Sequence, residues 1–278
     1  MAYASVRRMR LGKKLSELRN RVSLNQIQAA EALNSNQTTL ARYERGERAP
    51  QRAMVQALLD LYEVAEPERD EVMTLYRLAE RPSWWHPYRD LLWPEFAALM
   101  DLETDATEIR IYQVLVPGLF QTPAYARQIL QYGPQEISAE EVERRLEVRA
   151  TRQELLNKPD RPRFIALMDE GALRREVGGP SVMREQIDHL LELSGQACTS
   201  LQIVPYSAGA HPATVGSFML LDCAGTRVVY VETTAGQLYL DKSPEVTTCS
   251  RAFEQLLGFA LSTKESAALM RQHLKEYT

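Results

Sequence analysis

Apolar residues recur three or four positions apart through the first 80 residues, which is the spacing of helices that bury one face. Proline, glycine and clusters of polar residues interrupt this spacing. The pattern predicts an all-α N-terminal domain over residues 6–80. Its five predicted helices are residues 11–21, a short helix that follows Asn25, and residues 37–45, 54–62 and 66–79.

The second predicted helix begins at Asn25, whose side chain is suited to cap it. Gln28, three residues later, completes the reciprocal pattern of a capping box. We expect the buried face of this helix to consist of Ile27, Ala29, Ala30 and Leu33.

A tight turn at Asn34-Ser35 follows, because asparagine tolerates the left-handed backbone that most residues avoid. Asn36 is placed to cap the third helix, and Gly46 to end it. Leu40 and Tyr43 are predicted to face inward, and the outward positions are Gln37, Thr38, Ala41 and Arg42. Two short helices joined by such a turn predict a helix-turn-helix, whose second helix enters the DNA major groove.

After a predicted boundary at residues 81–83, helical spacing alternates with short runs rich in β-branched residues. This alternation predicts an α+β domain over residues 84–278 with a mixed or antiparallel sheet. Strands are expected at 108–116, 163–168, 200–205, 216–222, 227–232 and 237–240. Helices are expected at 122–131, 138–157, 181–193 and 243–261, and from residue 263 onward.

Aromatic residues are dense at the start of this second domain, where Trp84, Trp85 and Trp93 fall within ten residues. Such density is typical of packing between domains, and it can also line a ligand pocket. His211 lies in a predicted loop, Gly209-Ala210-His211-Pro212. The residues of a possible ligand or partner pocket are therefore Trp84, Trp85, Trp93 and His211.

Charge is distributed unevenly along the chain. The 278 residues carry a net charge of −4, yet residues 1–52 contain eleven Lys or Arg against four Glu. The basic residues thus concentrate where the helix-turn-helix is predicted. Because each cation that meets a phosphate releases counterions, this segment is suited to DNA even though the whole chain is acidic.

Other features favour a cytoplasmic protein that acts by binding. Cys198, Cys223 and Cys249 are odd in number and scattered, which argues for a reducing compartment. No apolar run approaches the ~20 residues of a membrane helix, and no signal-peptide pattern follows the N-terminus. The sequence has no nucleophile elbow, phosphate-binding glycine loop or paired metal-ligand motif, so we expect no enzymatic activity, cofactor or metal.

The first domain resembles the XRE (Cro/phage-repressor-like) helix-turn-helix family. The likeness is carried by Leu24, Asn25, Gln26, Ala29, Ala30, Leu33 and the run from Gln37 to Gly46. Asn34 occupies the turn position that is usually glycine. In similar folds the positions of Arg19 and Glu44 form a structural ion pair, so the resemblance implies the same pair here.

The second domain resembles the C-terminal domain of actinobacterial, antitoxin-like (WhiJ-type) regulators. The likeness is carried by residues 116–126, 169–173, 177–179, 183–187, 216–218 and 229–232. It implies a role in transcriptional control, often beside a small protein encoded by an adjacent gene. Two alternatives remain open: a domain that senses a small metabolite, and an antitoxin that neutralises a small cognate protein.

We expect the base-reading residues to be Gln37, Thr38 and Arg42. A glutamine amide can bond bidentately to adenine, a threonine can meet a base or the thymine methyl group, and an arginine can reach guanine or phosphate. Phosphate contacts are expected from Gln26, Asn36, Arg48 and Arg10. A single module makes few contacts, so a homodimer on a palindromic operator is expected, with half-sites about 10 bp apart.

Overall fold

The computed structural model describes residues 6–80, 83–133, 137–223 and 226–277. The chain divides into two compact units, residues 1–105 and 106–278. The sequence places a boundary at 81–83, of which residues 81 and 82 lie outside the described residues. The division at 105 assigns to the first unit one helix that the sequence pattern did not predict.

The first unit is all-helical, as the sequence predicts. Its helices are α1 (Val6–Arg21), α2 (Gln26–Ala32), α3 (Gln37–Glu44), α4 (Arg52–Leu61), α5 (Glu68–Glu80) and α6 (Pro94–Asp105). The first five confirm the predicted helices, with ends that shift by a few residues. The sixth was missed because its own apolar residues lie on all sides of the helix. Residues 97–100 and 102 are all buried, so α6 has no single apolar stripe of the kind that predicts a helix.

The core of this unit forms where α1, α3, α4 and α5 bring their apolar stripes together. Its fully buried members include Leu11, Leu15, Leu18, Leu40, Val55, Leu58, Leu59 and Val72. Asp105 at the end of α6 accepts a hydrogen bond from Arg7 of α1, at 3.0 Å. Side-chain burial at helix–helix contacts, more than intrinsic helix propensity, therefore stabilises these short helices.

Two predicted orientations in this unit are wrong. Ile27, expected in the core, is 49% exposed, because it lies more than a quarter-turn around α2 from the face formed by Ala29 and Ala30. Ala41, expected to face outward, is buried beside Leu40. Its methyl group is too short to extend beyond the neighbouring side chains.

The second unit contains a six-stranded sheet with the strand order β3-β2-β1-β4-β5-β6. The strands are β1 (Glu108–Gln113), β2 (Arg163–Asp169), β3 (Thr199–Val204), β4 (Phe218–Cys223), β5 (Thr226–Thr233) and β6 (Gly236–Leu240). The first three are parallel, and the other pairings are antiparallel. The mixed sheet and the α+β class are as predicted.

Helices cross over between the parallel strands and cover the sheet. They are α7 (Pro123–Gln131), α8 (Ala139–Gln153), α9 (Gly171–Arg174), α10 (Pro180–Ser194), α11 (Ser243–Leu257) and α12 (Thr263–Glu276). Parallel strands need such crossovers, and the helices between β1 and β3 supply them. Against one sheet face, Phe253 and Leu256 of α11 pack on Tyr112, Leu220 and Val229. Within the described part of the chain, no helix combines the length and the apolar character needed to cross a membrane.

Candidate nucleic-acid interface

Local hydrogen bonds build the helix-turn-helix from α2 and α3. The backbone N–H of Gln28 donates to Asn25 Oδ1 at 2.9 Å, and Gln28 Oε1 accepts from the Asn25 N–H at 2.9 Å. This is the predicted capping box, which satisfies donors that a helix start leaves unpaired. Asn34 has a φ of 49°, in the left-handed region, and turns the chain toward α3.

Asn36 then caps α3, where its Oδ1 accepts from the backbone N–H of Thr39 at 2.8 Å. The cap leaves the amide NH₂ of Asn36 at the exposed start of α3. Gln37 and Thr38, the next two residues, are also exposed. The N-terminus of α3 therefore presents exposed polar side chains, and in helix-turn-helix domains the first residues of the second helix are those that contact base edges.

Two glycines allow α1 to approach the end of α3 closely. A Cβ at Gly12 would lie 2.4 Å from the carbonyl oxygens of both Tyr43 and Glu44, inside van der Waals distance. A Cβ at Gly46 would lie 2.6 Å from the backbone nitrogen of Met9, and Gly46 also has a φ of +71°. Gly12 was missed in the sequence, although a single glycine inside a predicted helix is a signal of close packing.

A buried ion pair links α1 to the last turn of α3. Arg19 Nε donates to Glu44 Oε1 at 2.6 Å, and its Nη2 donates to Oε2 at 3.0 Å. The side chains are only 9% and 5% exposed. Hydrogen bonding to the Glu44 carboxylate raises the pKa of Arg19 above its ordinary value, against the effect of burial. Arg19 also donates to the carbonyl of Leu24 at 2.7 Å, which fixes the start of the loop before α2.

Gln26 joins this ion pair. Its Nε2 donates to Glu44 Oε2 at 2.8 Å, so one N–H of its side-chain amide serves the fold. The second N–H of that NH₂ group and the backbone N–H of Gln26, in the first turn of α2, are the donors left for an anion. The pair thus holds α1, α2 and α3 in one arrangement.

The other arginines predicted to contact DNA have side chains that are at least partly exposed. Arg42, one turn after Thr38, is half-exposed, with its Nε 3.7 Å from Glu47 Oε2. Arg45 makes the closer ion pair with Glu47, at 2.6 Å, and this bond lowers the pKa of Glu47. Arg48 is exposed after α3, and Arg10 is partly exposed on α1.

The residues predicted to line a pocket belong to different units: the three tryptophans to the first and His211 to the second. In the first unit, Trp85 Nε1 donates to Asp101 Oδ1 at 3.0 Å, while Trp84 is partly buried and Trp93 exposed. In the second unit, His211 meets the Tyr112 ring edge-on at 5.7 Å, and its Nδ1 accepts from the Ala213 N–H at 3.3 Å. Across the described ranges, no cluster of three or more His, Cys, Asp or Glu side chains could hold a metal ion.

Comparison with known families agrees with this geometry. Residues 10–72 match a helix-turn-helix domain. Because the match spans the capped helices and the exposed start of α3, the first unit contains a helix-turn-helix domain, a kind of domain that binds DNA. Residues 96–272 match a domain of unknown function, DUF5753, over more than half of the chain. The protein belongs to the DUF5753 family. Curated proteins and solved structures give no match.

Proposed function

We propose that this protein is a sequence-specific transcription regulator of the XRE type, which binds an operator through α3. The observation that carries the proposal is the exposed start of α3, where Gln37 and Thr38 follow a capped N-terminus. The buried Arg19–Glu44 pair holds the opposite end of α3, so the exposed residues start from a fixed geometry. Preorganised side chains lose less entropy on binding DNA than mobile ones.

In this proposal Gln37 bonds to adenine, Thr38 contacts a neighbouring base, and Arg42 reaches guanine or a flanking phosphate. Arg42 can do so because its 3.7 Å ion pair with Glu47 is long and half-exposed, and therefore weak. The phosphate contacts come from Gln26, Asn36, Arg48 and Arg10. Gln26 is the most constrained of these, because Glu44 already takes one of its donors.

The second unit supplies dimerisation or a surface for a small protein partner, as in WhiJ-type regulators. Large apolar side chains exposed on this unit support that role; they include Tyr132, Tyr206, Val215 and Leu238. A homodimer would place two α3 helices on the half-sites of a palindromic operator in the cytoplasm. The same surface would serve an antitoxin that neutralises a small cognate protein.

The test measures fluorescence anisotropy of the full chain on DNA from upstream of its own gene and on random DNA. We expect wild type to prefer the upstream DNA. Gln37→Ala should remove about 1–3 kcal/mol of that preference, because a bidentate contact to one base is lost. Gln56→Ala, an exposed glutamine on α4, is the matched control and should bind like wild type.

If wild type binds every DNA sequence equally well, the proposal that this protein by itself recognises a specific operator is contradicted. The same measurement repeated with the protein encoded next to it would then show whether a partner confers the preference. Sedimentation of the full chain, with and without the operator, tests the dimer.

A further inference from the structure

Arg45 is a basic residue at the end of α3 that the sequence pattern did not assign to the DNA interface. It follows Thr38 by seven residues, so at 3.6 residues per turn the two side chains lie within about 20° of each other around the helix axis. Its backbone is still right-handed helical, with a φ of −83° and a ψ of −2°. The Arg45 side chain is 56% exposed and lies about 10 Å further along α3 than Thr38. Arg45 therefore belongs to the same side of α3 as the proposed base-reading residues.

Glu47 holds this arginine from the loop that follows α3. Its Oε1 accepts from Arg45 Nε at 2.6 Å, and its Oε2 accepts from Arg45 Nη2 at 3.2 Å. The same Oε2 lies 3.7 Å from Nε of Arg42. One carboxylate thus faces two guanidinium groups at the end of the helix that is proposed to enter the DNA groove.

The backbone fixes Glu47 in this position. The N–H of Gly46 donates to the Tyr43 carbonyl at 3.0 Å, and the N–H of Glu47 donates to the Arg42 carbonyl at 3.0 Å. These two bonds form a Schellman motif, which the left-handed backbone of Gly46 permits, with a φ of 71°. The negative end of the helix dipole disfavours a carboxylate at such a place. Helix stability alone therefore does not account for the glutamate, whereas its bond to Arg45 does.

We propose that Arg45 is a further phosphate-contacting residue, and that Glu47 occupies its guanidinium group until a DNA phosphate takes the place of the carboxylate. The inference rests on the proposed binding of DNA through α3. A guanidinium group binds carboxylate and phosphate oxygens in the same bidentate geometry, so the exchange requires no change in the helix. The side chains of Arg45 and Glu47 are 56% and 41% exposed, and an ion pair this exposed is weak enough to open.

The exchange gives Glu47 a defined effect on DNA binding. Its carboxylate competes with every phosphate for Arg45, and its charge repels the DNA backbone whatever the base sequence. Glu47 therefore weakens binding to all DNA by a similar factor and reads no bases. A substitution at Glu47 should change affinity while leaving the preference for one sequence intact, which is the opposite of the effect expected for Gln37.

The experiment measures fluorescence anisotropy of the full chain on random DNA and on the upstream DNA, in about 0.1 M salt. Glu47→Gln should tighten binding to both by about two- to tenfold, because no ion pair has to open and one repulsive charge is lost. Arg45→Gln should weaken binding by about two- to threefold in wild type and by about five- to tenfold in Glu47→Gln, where the arginine has no competing partner.

Glu31→Gln is the matched control, since it removes the same charge from an exposed position on α2. It should tighten binding by less than about twofold, and the effect of Arg45→Gln should be the same with and without it. A second measurement follows the ion pair directly by NMR of the Arg45 Nε–H group. Its ¹⁵N signal should shift in Glu47→Gln, and it should shift in wild type when random DNA is added.

The outcomes separate this inference from operator recognition. Equal affinities of Glu47→Gln and Glu31→Gln, an effect of Arg45→Gln that does not depend on Glu47, or an Arg45 signal unchanged by DNA would overturn the exchange. Wild type that binds random and upstream DNA equally would contradict operator recognition alone, because the exchange is measured on random DNA. Wild type that binds no DNA would overturn both proposals.

Discussion

Arg19 shows how one residue can hold several segments of the helix-turn-helix together. Its guanidinium bonds to Glu44, to the Leu24 carbonyl and to the side chains of Ser16 and Asn20, so it ties α1 to both ends of the helix-turn-helix. Burial removes water as a competitor for these donors, and the pair therefore depends on both partners being present. In the proposed DNA interface, Arg19 and Glu44 are therefore positioning residues.

Arg19→Gln should lower the free energy of unfolding by about 3–5 kcal/mol, because it leaves the Glu44 carboxylate buried without its cation. Arg21→Gln is the control, since Arg21 makes a comparable bond to Glu68, at 2.8 Å, but is half-exposed. Its loss should cost less than about 1 kcal/mol. Urea unfolding of both variants gives the comparison. An equal decrease in the free energy of unfolding for both variants would show that burial does not make the Arg19–Glu44 pair more important for stability than an exposed pair.

At the scale of helices, contact between backbones sets the position of α3. The absence of a side chain at Gly12 lets α1 lie directly on the carbonyls of Tyr43 and Glu44. Glycine inside a helix destabilises it by about 1 kcal/mol relative to alanine. We therefore expect the close packing of α1 on α3 to stabilise the protein by at least that amount. The position of α3 thus depends on this backbone contact as well as on the Arg19–Glu44 pair.

Gly12→Ala should destabilise the protein by about 1–3 kcal/mol, even though alanine is the better helix former. The reason is that the new Cβ would lie 2.4 Å from two carbonyl oxygens, so α1 and α3 must separate. Gly195→Ala is the control, because its Cβ would lie 3.4 Å from the nearest atom, the Glu192 carbonyl oxygen. Thermal unfolding measures both, and a stabilised Gly12→Ala variant would contradict the close contact.

The same scale explains which elements the sequence pattern missed. Helices with one apolar stripe, such as α1 and α4, were predicted, with both ends of α4 within two residues and with the start of α1 five residues too late. The pattern failed for α6, which is buried on all sides, and for Ile27 of α2, a helix of only seven residues. In two turns of helix, one apolar residue more or less decides where the buried face appears to lie.

At the scale of the whole molecule, positive charge concentrates in the segment that forms the DNA-binding unit. Arg48→Ala should weaken binding equally on every DNA sequence and reduce the slope of log K against log salt by about 0.9, because one phosphate contact is lost. Arg77→Ala removes the same charge from an exposed position on α5 and serves as the control. Anisotropy titrations at several salt concentrations measure the slope, and equal slopes for both variants would remove Arg48 from the interface.

The sequence by itself determined the elements whose causes are local. Capping at Asn25 and Asn36, the left-handed turn at Asn34 and the apolar stripes of α1, α4 and α5 depend on residues a few positions apart, so spacing alone predicts them. The strands and most helices of the second unit follow from the same kind of pattern.

Only the tertiary structure decided what depends on residues far apart in the chain. It placed Gly12 against the last residues of α3, and it brought Gln26 within hydrogen-bonding distance of Glu44. It also brought Arg149 and Arg152 to Gly118, more than 30 positions earlier in the chain. Periodicity carries no information about such pairs, because burial, charge repulsion and close contact arise only after the elements have packed together.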